Sequence, residues 1–341
     1  MASLHGDDYQ GELKANFSSN IWHRADNSAL YDYLAKLLPT IQRYPEIEAE
    51  SLKEVLAAKI AVNPSNISIG NGSIDIIYRI AQCYQGSNSV IVSPTFSEYS
   101  KACHLNNHTV IQCKTANIEN NLEHCKPDLV WLCNPNNPDG NCMVINYMKE
   151  LLEAYPQVTF IIDQSFEEFT LSETLAADSV LNYSNLVLIY SLTKRYAIPG
   201  LRIGCVVSCE STISKLEHYR IPWSVNTLAI EAAKYLLEQN EKNLFELNTW
   251  ISESLRFQNE INKIGIYKTV PSTTPFFIVE LIHGKAAELK RFLLKSGLLI
   301  RDANNFEYEN YGELIRLNTL TEVENNALID KLTEWKYTLL Q

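Results

Sequence analysis

The sequence predicts an α/β fold: a large domain with a mostly parallel central sheet, beside a smaller α+β domain. Three observations predict it. Short apolar runs alternate with helical patterns up to about residue 240, the order of strand–helix–strand units. One of those strands, Ile67-Ser68-Ile69, runs into the turn Gly70-Asn71-Gly72 and a helix start at Ser73-Ile74-Asp75. Beyond about residue 250 the pattern changes to short strands among longer helices. Residues 1–40 read as an arm that joins the smaller domain, 41–245 as the large domain and 246–341 as the small one.

A chain of 341 residues has room for a large core. With 46% hydrophobic and 20% charged residues, and only 12 Gly and 12 Pro, it lacks the composition of a disordered chain. The formal net charge of −11 argues against nucleic acid as a partner. An anionic substrate then needs locally placed Arg and Lys. The 8 cysteines show no C-x-x-C spacing and several lie in apolar runs, so they read as small buried hydrophobes in a reducing compartment. No basic-then-apolar leader opens the chain, and no apolar run reaches the roughly 18 residues of a membrane span. Cytoplasm is the expected location, with no membrane partner. No H-E-x-x-H or Cys/His zinc spacing is present, so no metal is expected. His104 and His108, four apart without a third ligand, read as solvated helix residues.

The elements follow from periodicity and punctuation. Residues 30–38 read as a helix ended by Pro39, and 49–61 as a second helix. Strands are expected at 67–69, 89–92, 128–133, 158–162, 186–190 and 205–208, with helices at 145–155, 227–239 and 242–264. The last part adds strands at 271–281, 297–301 and 313–317, and helices at 285–296 and 322–339.

Several of these junctions carry chemistry. The turn before Ser73 offers free N–H groups at the positive end of a helix, so Gly72, Ser73 and Ile74 suit a phosphate. In Asn134-Pro135-Asn136-Asn137-Pro138-Asp139-Gly140 two prolines fix a tight turn that aims Asn137. Asp163 ends a buried strand, where a carboxylate lies in a ligand crevice and needs a partner. Lys194 sits between two apolar strands, before the turn Pro199-Gly200. A lysine beside apolar neighbours loses ammonium character and acts as an amine nucleophile. Ser191 and Arg202 flank it and can hold one phosphate. Together they suggest pyridoxal 5'-phosphate (PLP). The residues alone leave another reading open: a surface lysine and a structural arginine on a turn. Phe96 in Ser93-Pro94-Thr95-Phe96 reads equally as a core ring. Arg301 and Arg316, flanked by apolar strand residues, suit anion binding by guanidinium geometry, or a sheet surface by alternation.

The string Ser191-Leu192-Thr193-Lys194, then Pro199-Gly200-Leu201-Arg202-Ile203-Gly204, resembles the lysine loop of class I/II aminotransferases, which have PLP fold type I. In detail it resembles the branch of threonine-phosphate decarboxylases and histidinol-phosphate aminotransferases. His5-Gly6-Asp7, Phe17-Ser18-Ser19-Asn20-Ile21, Arg43-Tyr44-Pro45-Glu46 and Pro222-Trp223-Ser224-Val225-Asn226 resemble the same branch.

The resemblance implies that Lys194 and Asp163 are catalytic, Asp163 pairing with the pyridine nitrogen, and that Phe96 stacks on the ring. It implies that Asn137 meets the cofactor's phenolic oxygen and the substrate carboxylate, and that Ser191, Arg202 and 72–74 hold the phosphate. Tyr44 is expected to reach across a homodimer to the partner's cofactor. Arg316 is expected on the substrate α-carboxylate, with Arg301, Asn20 and His5 toward its distal anion. The implied reaction is decarboxylation of L-threonine O-3-phosphate to 1-aminopropan-2-yl phosphate, in cobalamin biosynthesis. The alternative is an aminotransferase for histidinol phosphate or another amino acid. A third reading is a non-catalytic binding module on the same fold. The chain departs from the pattern at Trp22-His23, Asp139 and Gln164-Ser165, and has Phe166 where many aminotransferases have tyrosine. That leaves Asn137 as the donor to the phenolic oxygen.

Overall fold

The computed structural model describes residues 9, 11–239, 246–306, 308 and 311–339. Its strands are β1 (Ala15–Asn16), β2 (Ile67–Gly70), β3 (Asn88–Val92), β4 (Thr109–Cys113), β5 (Leu129–Cys133), β6 (Thr159–Asp163), β7 (Leu186–Ser191) and β8 (Gly204–Ser208). The later part adds β9 (Tyr267–Thr269), β10 (Phe276–Leu281), β11 (Leu298–Leu299), β12 (Arg301–Asp302) and β13 (Glu313–Asn318).

Strands β2 to β8 form one seven-stranded sheet in the order β2-β8-β7-β6-β5-β3-β4. Neighbours from β4 through β7 are parallel, and β8 alone runs against both β7 and β2. The sheet is mostly parallel, as the alternating pattern predicts. Its central strands are apolar throughout because helices cover both faces. Period-two alternation sorts β7 between two cores. Leu186, Leu188 and Tyr190 join Leu52, Leu56, Met148 and Ala232 on one face. Val187 and Ile189 join Ile76, Tyr99, Trp131 and Ile213 on the other. The helices on the first face include Glu50–Ile60, Ile145–Ala154 and Thr227–Glu238; those on the second include Ser73–Cys83, Glu98–Leu105 and Glu210–His218. Helix Thr227–Glu238 starts where the Asn226 side chain accepts the Ala229 N–H at 2.8 Å.

The second body is an antiparallel sheet in the order β12-β13-β10-β9. Helices Leu247–Lys263, Ala286–Leu294 and Glu322–Leu339 accompany it. Phe257, Phe277, Leu289, Ile315 and Leu328 fill its core, and Phe17 from the arm joins them. The arm enters by its backbone too, since β1 pairs in parallel with β11.

Some expectations are corrected. The strand read at 297–301 is two strands of different sheets: β11 pairs with the arm, whereas β12 pairs with β13, and Ile300 is the break between them. The strand read from 271 begins only at Phe276, because Ser272 and Thr274 hydroxyls take the Phe276 carbonyl at 2.7 and 2.9 Å. Strand β9 was hidden by its length of 3 residues. Pro39 does not end the chain's helical path; the helix Ser28–Leu37 passes into a 3₁₀ turn, Leu38–Gln42, with the proline in its first turn. His104 is exposed on its helix as expected, but His108 is buried beyond the helix end. Its ring bonds the Ser89 hydroxyl and the Ala81 carbonyl, both at 2.8 Å. All 8 cysteines are unpaired, and Cys125 is exposed rather than buried.

Gly140 joins the two bodies. Its carbonyl accepts the Thr273 hydroxyl at 2.6 Å, and its φ is +70°. A methyl group there would stand 2.0 Å from Ser272 Oγ and 2.3 Å from Thr274 Oγ1. Left-handed strain and overpacking then act together. Gly140→Ala is expected to lower stability by about 2 kcal/mol or more, read as a lower urea midpoint at unchanged slope.

Candidate active site

The parallel strands end on one edge of the sheet, and their following loops converge. Cys133, Asp163 and Ile189 lie side by side across β5, β6 and β7. Past those ends lies a cavity of about 240 Å³, where ligands of such sheets bind. Its walls bring together Asn20, Ser73, Ile74, Phe96, Asn137, Asp163, Ser191, Lys194, Arg202 and Arg316. These residues come from seven separate stretches of sequence.

Asp163 is buried at the floor. Its Oδ2 accepts the Tyr99 hydroxyl at 2.7 Å and its Oδ1 accepts the Ser165 N–H at 2.9 Å. Burial raises its carboxyl above the usual range, while those donors and the Lys194 charge pull it down. Lys194 lies with its Nζ 5.8 Å from the centre of the Phe166 ring. The arm holds the lysine loop from outside: Trp22 N–H donates to the Lys194 carbonyl at 3.0 Å, and the Asn27 amide donates to the Tyr196 carbonyl at 2.9 Å. The departure at Trp22 thus has a structural role, since its ring joins Phe166, Phe169, Trp250 and Phe276 in one aromatic cluster.

Two loops carry the opposite wall. The Thr95 hydroxyl donates to Asn136 Oδ1 at 2.9 Å, and the Asn136 amide donates to the Pro94 carbonyl at 2.9 Å. Phe96 and Asn137 are therefore set by one network. Asp139 braces the same turn by accepting from the Asn136 amide at 2.9 Å and the Asn141 N–H at 3.1 Å.

The glycines of the phosphate turn are required by contact. Gly72 has φ +82°, and a Cβ there would meet Arg202 Nη2 at 2.2 Å. A Cβ on Gly204 would meet the Ser73 N at 2.8 Å. The helix Ser73–Cys83 therefore presents its N-terminus beside Arg202 and Ser191.

Arg316 is buried and crosses to the other body. Its Nη1 donates to Asn137 Oδ1 and its Nη2 to the Ser18 carbonyl, each at 2.6 Å. Its Nε is buried with no partner, and each terminal nitrogen keeps a second hydrogen. Burial and then Arg301 hold its pKa down to about 9, so it remains cationic at neutral pH. Asn20 is buried with neither amide atom partnered.

Four expected residues stand apart. Gly72 lies behind Arg202 and off the cavity wall. Tyr44 is 83% exposed and packs on Trp223 at 5.2 Å between ring centres, away from its own chain's cavity. Arg301 neighbours Arg316 in the β12–β13 register, but it is buried against Phe306, and its Nη2 donates to Asn305 at 2.8 Å. It does not line the cavity, because the short β12 turns it toward that loop. His5 lies outside the described residues. Sequence reasoning missed Ser18, Ser19, Ser165 and Thr193 as wall residues. Tyr99 is a second aromatic expected to face the site, three positions past Phe96, and it lines the cavity wall.

A larger cavity of about 400 Å³ lies behind the wall formed by Ser165 and Ser191. Leu56, Ile60, Phe169, Leu192 and Leu237 line much of it. The smaller cavity holds the convergent polar groups that fix a ligand's orientation, so it is the candidate site.

These residues fit PLP. A buried carboxylate, a lysine, a flat ring and an anion cradle at a helix N-terminus match its nitrogen, aldehyde, ring and phosphate. The glycine contacts leave the cradle open.

Comparison with known proteins agrees. The crystal structure of L-threonine-O-3-phosphate decarboxylase from Porphyromonas gingivalis superposes with a TM-score of 0.91 at 34% identity, covering 95% of this chain and 99% of that one. The histidinol-phosphate aminotransferase of Clostridium acetobutylicum superposes with a TM-score of 0.84 at 25% identity, over 95% and 99% of the two chains. The histidinol-phosphate aminotransferase of Moorella thermoacetica is 30% identical over 305 residues, 85% of this chain and 77% of that protein. The family model described as aminotransferase class I and II matches residues 11–332, and this chain belongs to that family of PLP-dependent enzymes, with PLP fold type I.

Proposed function

We propose that the chain decarboxylates L-threonine O-3-phosphate to 1-aminopropan-2-yl phosphate, a step toward the cobalamin nucleotide loop. One observation carries this reading: Arg316 is a buried cation without a hydrogen-bonded carboxylate among the described residues, facing a cavity that also holds Lys194. An uncompensated buried charge is costly, which favours an anionic substrate that supplies the missing charge. The likeness to the Porphyromonas gingivalis decarboxylase supports the same choice, and so does Phe166, which lacks the hydroxyl found in many aminotransferases.

Bound PLP supplies an electron sink for the pair left at Cα when a bond there breaks. Asp163 holds the proton at the ring nitrogen, Phe96 backs the ring, and Asn137 meets the phenolic oxygen. Ser73, Ile74, Ser191 and Arg202 hold the phosphate group, with Gly72 giving Arg202 its room. Arg316 forks the α-carboxylate through Nε and a remaining terminal N–H. With the cofactor bound, that grip would fix how the bonds at Cα are presented to it. Carbon dioxide leaves, and Lys194 delivers a proton to Cα from its Nζ. Asn20 meets the distal phosphate with its free amide. Arg301 reaches that phosphate only by leaving Asn305, and His5 is a further donor from the arm.

The decisive assay supplies L-threonine O-3-phosphate and PLP without any 2-oxo acid. Carbon dioxide and the phosphorylated amino alcohol are expected over many turnovers. A single stalled half-reaction, restarted by a 2-oxo acid, overturns decarboxylation in favour of transamination. Arg316→Ala is expected to cost about 1.5–3 kcal/mol in kcat/KM, the worth of a charged hydrogen-bonded contact.

The proposal extends to assembly. The exposed Tyr44 beside Trp223 suits a homodimer in which Tyr44 reaches the partner's cofactor. Mixing inactive Lys194→Ala with inactive Tyr44→Ala subunits is expected to restore part of the activity. Exchange of subunits with no recovered turnover removes the shared site.

A further inference from the structure

We propose that Tyr99 is a positioning residue of this reaction, acting through Asp163 to keep the cofactor's ring nitrogen protonated. This rests on the role of Asp163 given above. The tyrosine is 1% exposed, at the start of the helix Glu98–Leu105. Its phenol and the Ser165 N–H each take one oxygen of the carboxylate, at 2.7 and 2.9 Å. One donor alone allows the carboxylate to turn about its Cβ–Cγ bond; two donors on opposite oxygens fix its plane.

The tyrosine itself cannot turn. Its ring stacks on Trp131, with centres 5.8 Å apart and planes 24° apart. Phe96 meets it edge-on at 5.8 Å. The ring proposed to back the cofactor and the carboxylate proposed to hold its nitrogen are thus seated on one residue. Burial pushes the Tyr99 phenol well above its usual value, so it stays a donor throughout the working pH range. The titratable groups around it are Asp163 and Cys133, with Lys194 acting on Asp163 from across the cavity. Cys133 is itself pushed up by burial and stays a thiol, its Sγ bonded to the Pro135 carbonyl. The phenol is thus the side chain that stabilises the charged form of Asp163 from the core side. Without it, the desolvated carboxylate competes with the ring for the shared proton, and the ring becomes less positive.

The test is a double-mutant cycle on the PLP-loaded enzyme, comparing Tyr99→Phe, Asp163→Asn and the double variant with the parent. Tyr99→Phe keeps the ring contacts and is expected to melt within a few degrees of the parent. Its kcat is expected to fall about tenfold with KM within about twofold, the effect of one charge-assisted bond. A less positive ring lets the proton on the Lys194 nitrogen persist to higher pH, so the midpoint of the visible-absorbance titration is expected to rise. In the Asp163→Asn background the same change is expected to do almost nothing. An unchanged midpoint and kcat in Tyr99→Phe, beside a damaged Asp163→Asn, overturns the role of Tyr99 alone. An equal effect in both backgrounds overturns it too, since packing would then be the cause. If Asp163→Asn alters neither kcat nor midpoint, the Asp163 reading itself fails. Should Tyr99→Phe not fold, 3,5-difluorotyrosine at position 99 keeps the shape and strengthens the donor. The midpoint is then expected to fall, and an unmoved midpoint overturns the proposal.

Discussion

The parallel register of β5, β6 and β7 is the constraint on which the site depends. Because Cys133, Asp163 and Ile189 lie side by side, with β7 running on to Ser191, the loops that follow leave the same edge of the sheet. The Asn137 turn, the Asp163 carboxylate and the Lys194 loop then meet without any long-range device of their own. A slip of one residue in β6 would aim Asp163 at the opposite face. The alternation of β6 itself, with Phe160 and Ile162 in one core and Ile161 in the other, guards against such a slip, since either core would then receive the wrong side chains.

Electrostatics completes what register begins. The cavity carries a buried carboxylate at one end and a buried guanidinium at the other, and neither neutralises the other directly. Each is held by neutral groups: a phenol and a backbone N–H for Asp163, an amide and a carbonyl for Arg316. Such an arrangement costs stability in the folded chain. It is recovered when ligands of complementary charge arrive.

Six strands of the large sheet were legible in the sequence because they are short apolar runs bounded by turns; the edge strand β4, with Thr109 and Gln112 exposed, was not. The lysine loop, the glycine-rich turn and the two-proline turn were legible because each is a local string with its own backbone geometry. What stayed hidden was long-range. Nothing near Ala15 signals that it pairs with Leu298, and nothing near Arg316 tells that Asn137 and the Ser18 carbonyl hold it. His108 looked solvated because its two partners, Ser89 and Ala81, come from other elements. Tyr99 could be expected to face the site, but nothing near it signals that its phenol donates to Asp163, 64 positions away.

The arm's pairing with β11 has a consequence for how the protein is made. Ala15 leaves the ribosome before any strand of the large sheet, whereas Leu298 emerges after all of them. Trp22 and Asn27, which hold the lysine loop, belong to the same arm. The seven-stranded sheet can close on its own nascent helices, but the strand partner of the arm does not exist until all of that sheet has been made. Contacts of such sequence separation form late. Until β11 is made, the arm that braces the Lys194 loop therefore lacks its strand partner in the second body.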